Sequence, residues 1–410
     1  MRASEYKGEI VIELSMKELR PGQTLGRAIY RPSGEVLLSK GFTLTHEVIN
    51  RLQEIGQSRY WIQEAGLEHI TPEEILPEFL LFQASEELRI NAEHFRKKAK
   101  VQDNINIANF DPKAMLKDTA RFTDSLLSSR ILKVARTISK EFRKNKLPFL
   151  LHFTSVRTQA NYMFQHAVDA AVVAAAIGRT FQFEEEELEH LVLGTMLMDI
   201  GTLLLPWSLV IKPDRLTFAE FCALKEHPTF GFEILRLDPL IPLICAHIAF
   251  QHHERMDGGG YPRRLIGYNN PPLKQEINDK RSIHRFAEIV AVADEYMSLV
   301  QPRPFAPPKS PVESIKFLLK ASGNHLNSAV VDALIPMIPI YSVGSRVLII
   351  AAHQEKMIGA TAVISKTNID RQDRPEITLL YDSEGNWIEH EIIAMETNSQ
   401  VMIQQASMAN

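Results

Sequence analysis

Two hydrophobic periods alternate along the chain, and the switches between them divide it. Ile10, Ile12 and Leu14 alternate as in a strand. Leu25–Tyr30 and Glu35–Leu38 flank Arg31-Pro32-Ser33-Gly34, which predicts a hairpin turn. Thr45 reads as the N-cap of a short helix carrying Val48, Ile49, Leu52 and Ile55, with Gly56 as its stop. Residues 1–66 are therefore expected to form a small β-rich module, patterned over 8–64, with one helix. From 67 to 147 the spacing turns helical, over Pro77–Lys98 and Pro112–Lys144, and predicts a helical connector or a dimerisation surface. Residues 148–335 are the densest in helix: Ala167–Ile177, Glu184–Met198, a helix opened by the Thr217/Glu220 capping box, Asp238–Glu254 and Ile283–Val300. Pro302, Pro304, Pro307, Pro308 and Pro311 then predict a non-helical crossing. Residues 336–410 return to strand patterning over Arg346–Ile350, Ala360–Ile364, Ile377–Tyr381 and Trp387–Ile392, with a hairpin at 382–386 and a frayed last dozen residues.

Length agrees with this division, since 410 residues suggest two to four units at roughly 100–200 residues per domain. Lys plus Arg is 46 and Asp plus Glu 50. That balance argues against a chain built to coat a nucleic-acid polymer or an anionic membrane. The most apolar stretch, Ala170–Gly178, falls far short of the roughly 20 residues of a bilayer span. The N-terminus lacks the apolar core of a signal peptide. Two cysteines without a CxxC pair exclude a thiolate zinc site and fit a reducing cytoplasm. With fourteen histidines, any metal must be held by imidazole and carboxylate.

One segment concentrates the chemistry: His252-His253-Glu254-Arg255-Met256-Asp257-Gly258-Gly259-Gly260-Tyr261-Pro262. Adjacent histidines on a helix diverge by about 100°, so they serve one site only at a helix terminus or around two ions. The glycine run lets the following backbone turn tightly and approach a ligand. Further candidate ligands stand on separate helices: His166, Asp199 in Met198-Asp199-Ile200-Gly201, His227 before Pro228, and Asp294 in the apolar run Val290–Ala293. Imidazole with carboxylate suits Fe, Mn, Zn or Ni better than Mg or Ca. Two such ions roughly 3.5–4 Å apart are a recognised device for phosphoester cleavage.

In these residues and their order, residues 150–335 resemble the HD-GYP branch of the HD-superfamily phosphohydrolases, which cleave the bacterial messenger cyclic di-GMP. His227-Pro228 and Gly231 match the block before the central string, Gly260-Tyr261-Pro262 match the loop that names the branch, and Arg303-Pro304-Phe305 resembles an Arg-Pro-Tyr element whose arginine faces substrate phosphate. The resemblance implies a multidomain fold: an all-α HD-type helical bundle core between small β-rich N-terminal and C-terminal modules. It implies a divalent metal site, Fe, Mn or similar, of one or two ions. One position would be held by His166, Asp199 and Asp294, the other by Asp199, His227, His252 and His253. By the same resemblance Asp199 would be the bridging, catalytic carboxylate, and Arg303, Gly260, Tyr261 and Pro262 would face the nucleotide.

Two departures stand against full activity. Met198 replaces the histidine of the name-giving His-Asp pair, and a thioether is a poor ligand for these ions. Thr202 replaces a phosphate-contacting lysine and supplies no charge. The expectation is a cytoplasmic protein of cyclic di-GMP signalling with impaired or absent hydrolysis. It would bind cyclic di-GMP or a related nucleotide, or a protein partner through the Gly-Tyr-Pro loop, with a homodimer as a further partner and no membrane. The alternative is an active metal-dependent cyclic di-GMP phosphodiesterase.

Overall fold

The structure is a computed structural model that describes residues 11–30, 35–55, 59–63, 76–101, 107, 110–116, 129–144, 151, 162–212, 214–274, 280–301, 308–388 and 391–405. Two compact units emerge. One gathers the described residues of 1–75, 148–158 and 338–410, the other those of 76–147 and 159–337.

The first unit is β-rich. β1 (Val11–Ser15) pairs antiparallel with β4 (Arg59–Gln63), and β2 (Ile29–Tyr30) with β3 (Val36–Leu38). Helix α1 (His46–Ile55) is capped by Thr45, whose hydroxyl accepts from the Val48 N–H at 3.3 Å. The expected hairpin turn at 31–34 and the Gly56 stop lie outside the described residues. Strands β5 (Arg346–Ala351), β6 (Thr361–Lys366), β7 (Glu376–Tyr381), β8 (Ile392–Ala394) and β9 (Met402–Gln405) form one antiparallel sheet in the order β8-β7-β6-β5-β9. Val363 and Leu380 point to one face, where they join Leu14, Leu25, Leu44, Leu52, Tyr60 and Ile62 in a shared core. Ala362, Ile364, Ile377 and Leu379 alternate onto the other face and pack with Val347, Ile349 and Ile403. The two ends of the chain thus build one hydrophobic core.

Two expectations need correction here. The stretch near the end is not frayed throughout: β9 pairs with β5, because Ile403 has an apolar place to go. Trp387 forms an isolated bridge with Tyr381, and among the described residues the strand expected over Trp387–Ile392 is seen from Ile392 to Ala394.

The second unit is helical. It contains α2 (Glu78–Ala99), α3 (Pro112–Leu116), α4 (Ser129–Lys144), α5 (Tyr162–Thr180), α6 (Glu185–Met196), α7 (Trp207–Val210), α8 (Phe218–Leu224), α9 (His227–Leu235), α10 (Leu243–Gln251), α11 (Arg285–Val300), α12 (Pro311–Ala321) and α13 (Ser328–Leu334). Helix α5 is buried from Phe164 to Gly178 on every side. Its Ala/Val surface lets α2, α4, α6 and α11 approach closely. The stretch expected as a connector thus supplies α2 and α4 to the packing around α5. Arg96, near the end of α2, donates to the Leu203 and Leu205 carbonyls at 2.8 Å each and lies over the Trp207 ring. Helix α10 starts at Leu243 rather than Asp238, because Pro242 occupies its N-cap and the Asp238 carboxylate turns the chain by accepting from Leu240 N–H. Pro311, expected within a non-helical crossing, instead opens α12 behind the Ser310/Glu313 capping box. Among the described residues no helix is long and apolar enough to cross a membrane.

Candidate metal centre

Four of the expected ligands converge. One donor atom each from Asp199, His227, His252 and His253 falls within 4.8 Å of the others. Local chain geometry brings them there. Asp199 follows α6 at the start of a short 3₁₀ turn, Ile200–Leu204. His227 is the first residue of α9, and α10 ends at Gln251, with His252 as its C-cap. Because the helix stops at that point, consecutive imidazoles can face one site.

The two backbone segments carrying Asp199 and His227 touch at Gly201. A Cβ there would lie 2.0 Å from the His227 carbonyl oxygen and 2.4 Å from the Gly231 nitrogen, so only glycine fits. Gly260 is similarly enclosed: a Cβ would meet the Arg255 nitrogen and Glu254 Cα at 2.5 Å.

The imidazoles are oriented from behind. His227 Nδ1 lies 2.7 Å from the Leu224 carbonyl, and His252 Nδ1 lies 2.9 Å from the Ala249 carbonyl. A carbonyl can only accept, so both Nδ1 atoms carry the proton and both Nε2 atoms turn inward. These Nε2 atoms are 3.3 Å apart, and they stand 3.3 and 3.6 Å from Asp199 Oδ1. Ligands bound tetrahedrally at about 2.1 Å would be about 3.4 Å apart. Inward lone pairs at that spacing around a carboxylate are what a divalent cation requires, so the residues fit the implied metal.

Electrostatics agree. Burial would raise the Asp199 carboxyl, but the His252 hydrogen bond and the His227, His252 and His253 charges outweigh it and hold it well below the usual carboxylate range. Burial pushes His227 down to about 4. His253 is also driven well below its ordinary value, by burial and then by the charges of His252 and His227. Burial works against protonation of His252 too, but its bond to Asp199 prevails and raises it. The metal-free cluster therefore favours one proton shared against an ionised carboxylate.

The other two expected ligands face each other. His166 Nε2 is 2.7 Å from Asp294 Oδ1. His166 Nδ1 is 3.1 Å from Gln301 Oε1, and the Gln301 amide donates to buried Asp169 at 3.0 Å. Burial opposes a charge on His166, but the Asp294 hydrogen bond and charge outweigh it and raise the imidazole. Met198, which stands where the resemblance implies a histidine ligand, is fully buried. Thr202 spends its hydroxyl on the Asp199 carbonyl at 2.7 Å, with the Met163 sulfur at 3.4 Å.

The Gly-rich loop folds over this cluster. The Tyr261 ring stacks on His253 at 4.8 Å, and the Lys225 ammonium lies over its ring. Buried Glu254 holds the loop's exit by accepting from the Arg263 and Leu265 N–H groups at 2.7 and 2.8 Å. Asp257 accepts from Gly259 N–H and pairs with Arg255. Gly260, Tyr261 and Pro262 are all placed by this latch, whereas Arg303 lies outside the described residues. Sequence reasoning missed Gln301, Asp169 and Lys225. The first two left a signal: a carboxylate three residues after His166 in an Ala/Val helix, and an amide seven residues after Asp294 at the helix end.

Comparison with known proteins matches the HD domain family to residues 105–330. The cyclic di-GMP phosphodiesterase PA4108 of Pseudomonas aeruginosa is 28% identical over 202 residues, covering 48% of this chain and 44% of that protein. The cyclic di-GMP phosphodiesterase response regulator RpfG of Xanthomonas campestris is 32% identical over 164 residues, 40% of each chain. A cyclic di-GMP phosphodiesterase of Thermotoga maritima is 32% identical over 174 residues, 42% of this chain and 44% of its own. The chain thus spans less than half the length of these curated relatives. Among solved structures, an HDG"Y"P protein from Bdellovibrio bacteriovorus aligns over 79% of this chain and 98% of its own, at 15% identity and a TM-score of 0.40.

Proposed function

The chain belongs to the HD domain family, in its HD-GYP cyclic di-GMP phosphodiesterase branch, and on that premise we propose that it is a metal-binding, cyclic di-GMP-binding signalling protein with impaired or absent hydrolysis. The observation that carries the reading is the asymmetry of the centre. Asp199, His227, His252 and His253 form a converging donor set, while His166 and Asp294 are closed on each other and Met198 is apolar and fully buried.

In this reading one divalent ion, Fe, Mn or similar, would be held by the four-residue set. Such an ion supplies Lewis acidity at phosphoryl oxygen and lowers the pKa of a water. The chain's own groups do the rest. Leu224 and Ala249 carbonyls keep His227 and His252 turned inward. Tyr261 shields His253 from one side. Glu254 fixes the loop that a cyclic dinucleotide or a protein partner would meet. Thr202 brings neither charge nor a free hydroxyl to that surface. The reading expects a cytoplasmic protein of nucleotide signalling.

The intact donor set favours a second reading, an active metal-dependent phosphodiesterase. One experiment separates them: count Mn or Fe per chain, then measure cyclic di-GMP turnover beside binding. The proposal expects about one ion, binding, and turnover at least about 100-fold below that of a Met198→His, Thr202→Lys double variant. Turnover abolished by His253→Ala and already fast in the parent protein would establish the second reading instead.

A further inference from the structure

Three carboxylates, Asp199, Asp294 and Asp169, are gathered at this cluster, so a phosphodiester that reaches it calls for a cationic side chain nearby. Cations that could balance a phosphate are mostly committed elsewhere. Arg255 is paired with Asp257, Lys212 with Glu220, and Arg285 with Glu187.

Lys225 is different. It is the C-cap of α8, two residues before His227 and next to Leu224, whose carbonyl orients that imidazole. Its ammonium lies 4.6 Å from the centre of the Tyr261 ring and 4.9 Å from that of Phe221. Tyr261 in turn stacks on His253. One aromatic ring therefore links the ammonium to the metal cluster. The side chain is half-buried, yet among the described residues it makes no ion pair and no hydrogen bond. Among the described protein groups, the ammonium's three N–H donors have only two ring faces beside them. A ring face holds a cation in place without neutralising it and is weaker than a charge-assisted hydrogen bond to phosphate oxygen.

On the reading of the site given above, we infer that Lys225 is a nucleotide-binding residue: its ammonium, shelved on Tyr261 and Phe221, contacts a phosphodiester oxygen of the bound cyclic dinucleotide. Specificity for the anion then comes from the corner between α8 and α9, not from the turn that carries Thr202. The same corner positions His227, so phosphate binding and metal binding share one piece of backbone.

The test uses the full chain loaded with Mn, titrated calorimetrically with cyclic di-GMP and separately with inorganic pyrophosphate, at low and high salt. Lys225→Met keeps the alkyl stem over the rings and removes the charge. It is expected to weaken both ligands about tenfold or more and to flatten the salt dependence. Lys225→Arg should remain within about threefold of the parent, and Mn bound per chain should not change in either. Parent-like binding by Lys225→Met overturns the inference, as does a parallel loss of Mn, which would mark a structural role. Pyrophosphate binding that depends on Lys225, without any cyclic di-GMP binding, would refute the nucleotide proposed above and uphold Lys225 as the anion contact. Failure of the parent protein to bind either probe would sink both.

Discussion

Replacing Gly201 by alanine would push a methyl group into the joint between the two halves of the metal centre. The added carbon would stand 2.0 Å from the His227 carbonyl oxygen, 2.9 Å from its carbon and 2.4 Å from the Gly231 nitrogen. All three are backbone atoms, so no side chain can swing away. Restoring a contact of about 3.5 Å means opening the joint by more than about 1 Å. Overpacking of this kind costs about 1–3 kcal/mol, which for a helical unit of this size lowers the melting temperature by several degrees. The displacement also falls on the 3.3 Å separation of Asp199 and His227. Metal sites tolerate only about ±0.2 Å in their bonds, so Mn affinity should drop by about 10–100-fold, as when an orienting partner is lost. Gly231→Ala is the control. Its Cβ would stand 3.2 Å from the Ala249 Cβ and 3.5 Å from Gly201 N and Ile200 Cγ2, tight contacts without the overlap met at Gly201. Thermal melts with and without Mn, and competition of Mn against a chelating dye, should separate the two variants. If Gly201→Ala melted with the parent and held Mn equally well, the claim that backbone contact sets the ligand geometry would be wrong.

Three further outcomes follow from buried polar groups. His284 caps α11 by accepting the Phe286 N–H at Nδ1, and burial, then Arg285 and His247, push it down to about 4. Its contribution is therefore complete above about pH 6.5 and is lost as pH falls toward and below 4, up to about 3 kcal/mol in all; in His284→Asn, denaturant titrations should show a shallower acid slope, and an unchanged slope would contradict the assignment. Glu254→Ala strips the acceptor from two loop N–H groups and should cost about 1.5–3 kcal/mol, read as faster hydrogen exchange at Arg263 and Leu265 than elsewhere in the helical unit. Gln301→Leu should lower stability by about 1–3 kcal/mol, and Gln301→Glu by more, since it replaces the amide donor to Asp169 with a second carboxyl group; the reverse ranking would show that the amide donor to Asp169 is not what Gln301 contributes.

The legible part of this chain was its periodic part. Helices α2, α5, α6 and α11 were readable because their apolar spacing is long, and Thr217 with Glu220 announced its capping box outright. Short helices such as α9 and α13 carry too few turns to show a period, and Pro311 reads as a breaker until Ser310 is recognised as its cap. At the site, residue types with few other reasons to cluster were visible: His252 and His253 before a glycine run. Invisible were relations that exist only after folding. Nothing in the order of residues says that Gly201 rests on the His227 carbonyl, or that Gln301 reaches back to His166 across 135 positions. The pairing of the two chain ends was equally hidden, because each end has an ordinary strand pattern and neither names its partner.

That pairing sets a timetable. Leu14, Leu25, Leu52 and Ile62 leave the ribosome early, but Val343, Val363 and Leu380, which complete their core, are made after the whole helical unit. At about 5–20 residues per second the first strands wait on the order of tens of seconds, exposed and unfinished. Early β segments must therefore remain soluble without their core, and a chain stopped after α13 would leave Leu14, Leu25, Leu52 and Ile62 without Val343, Val363 and Leu380 to pack against.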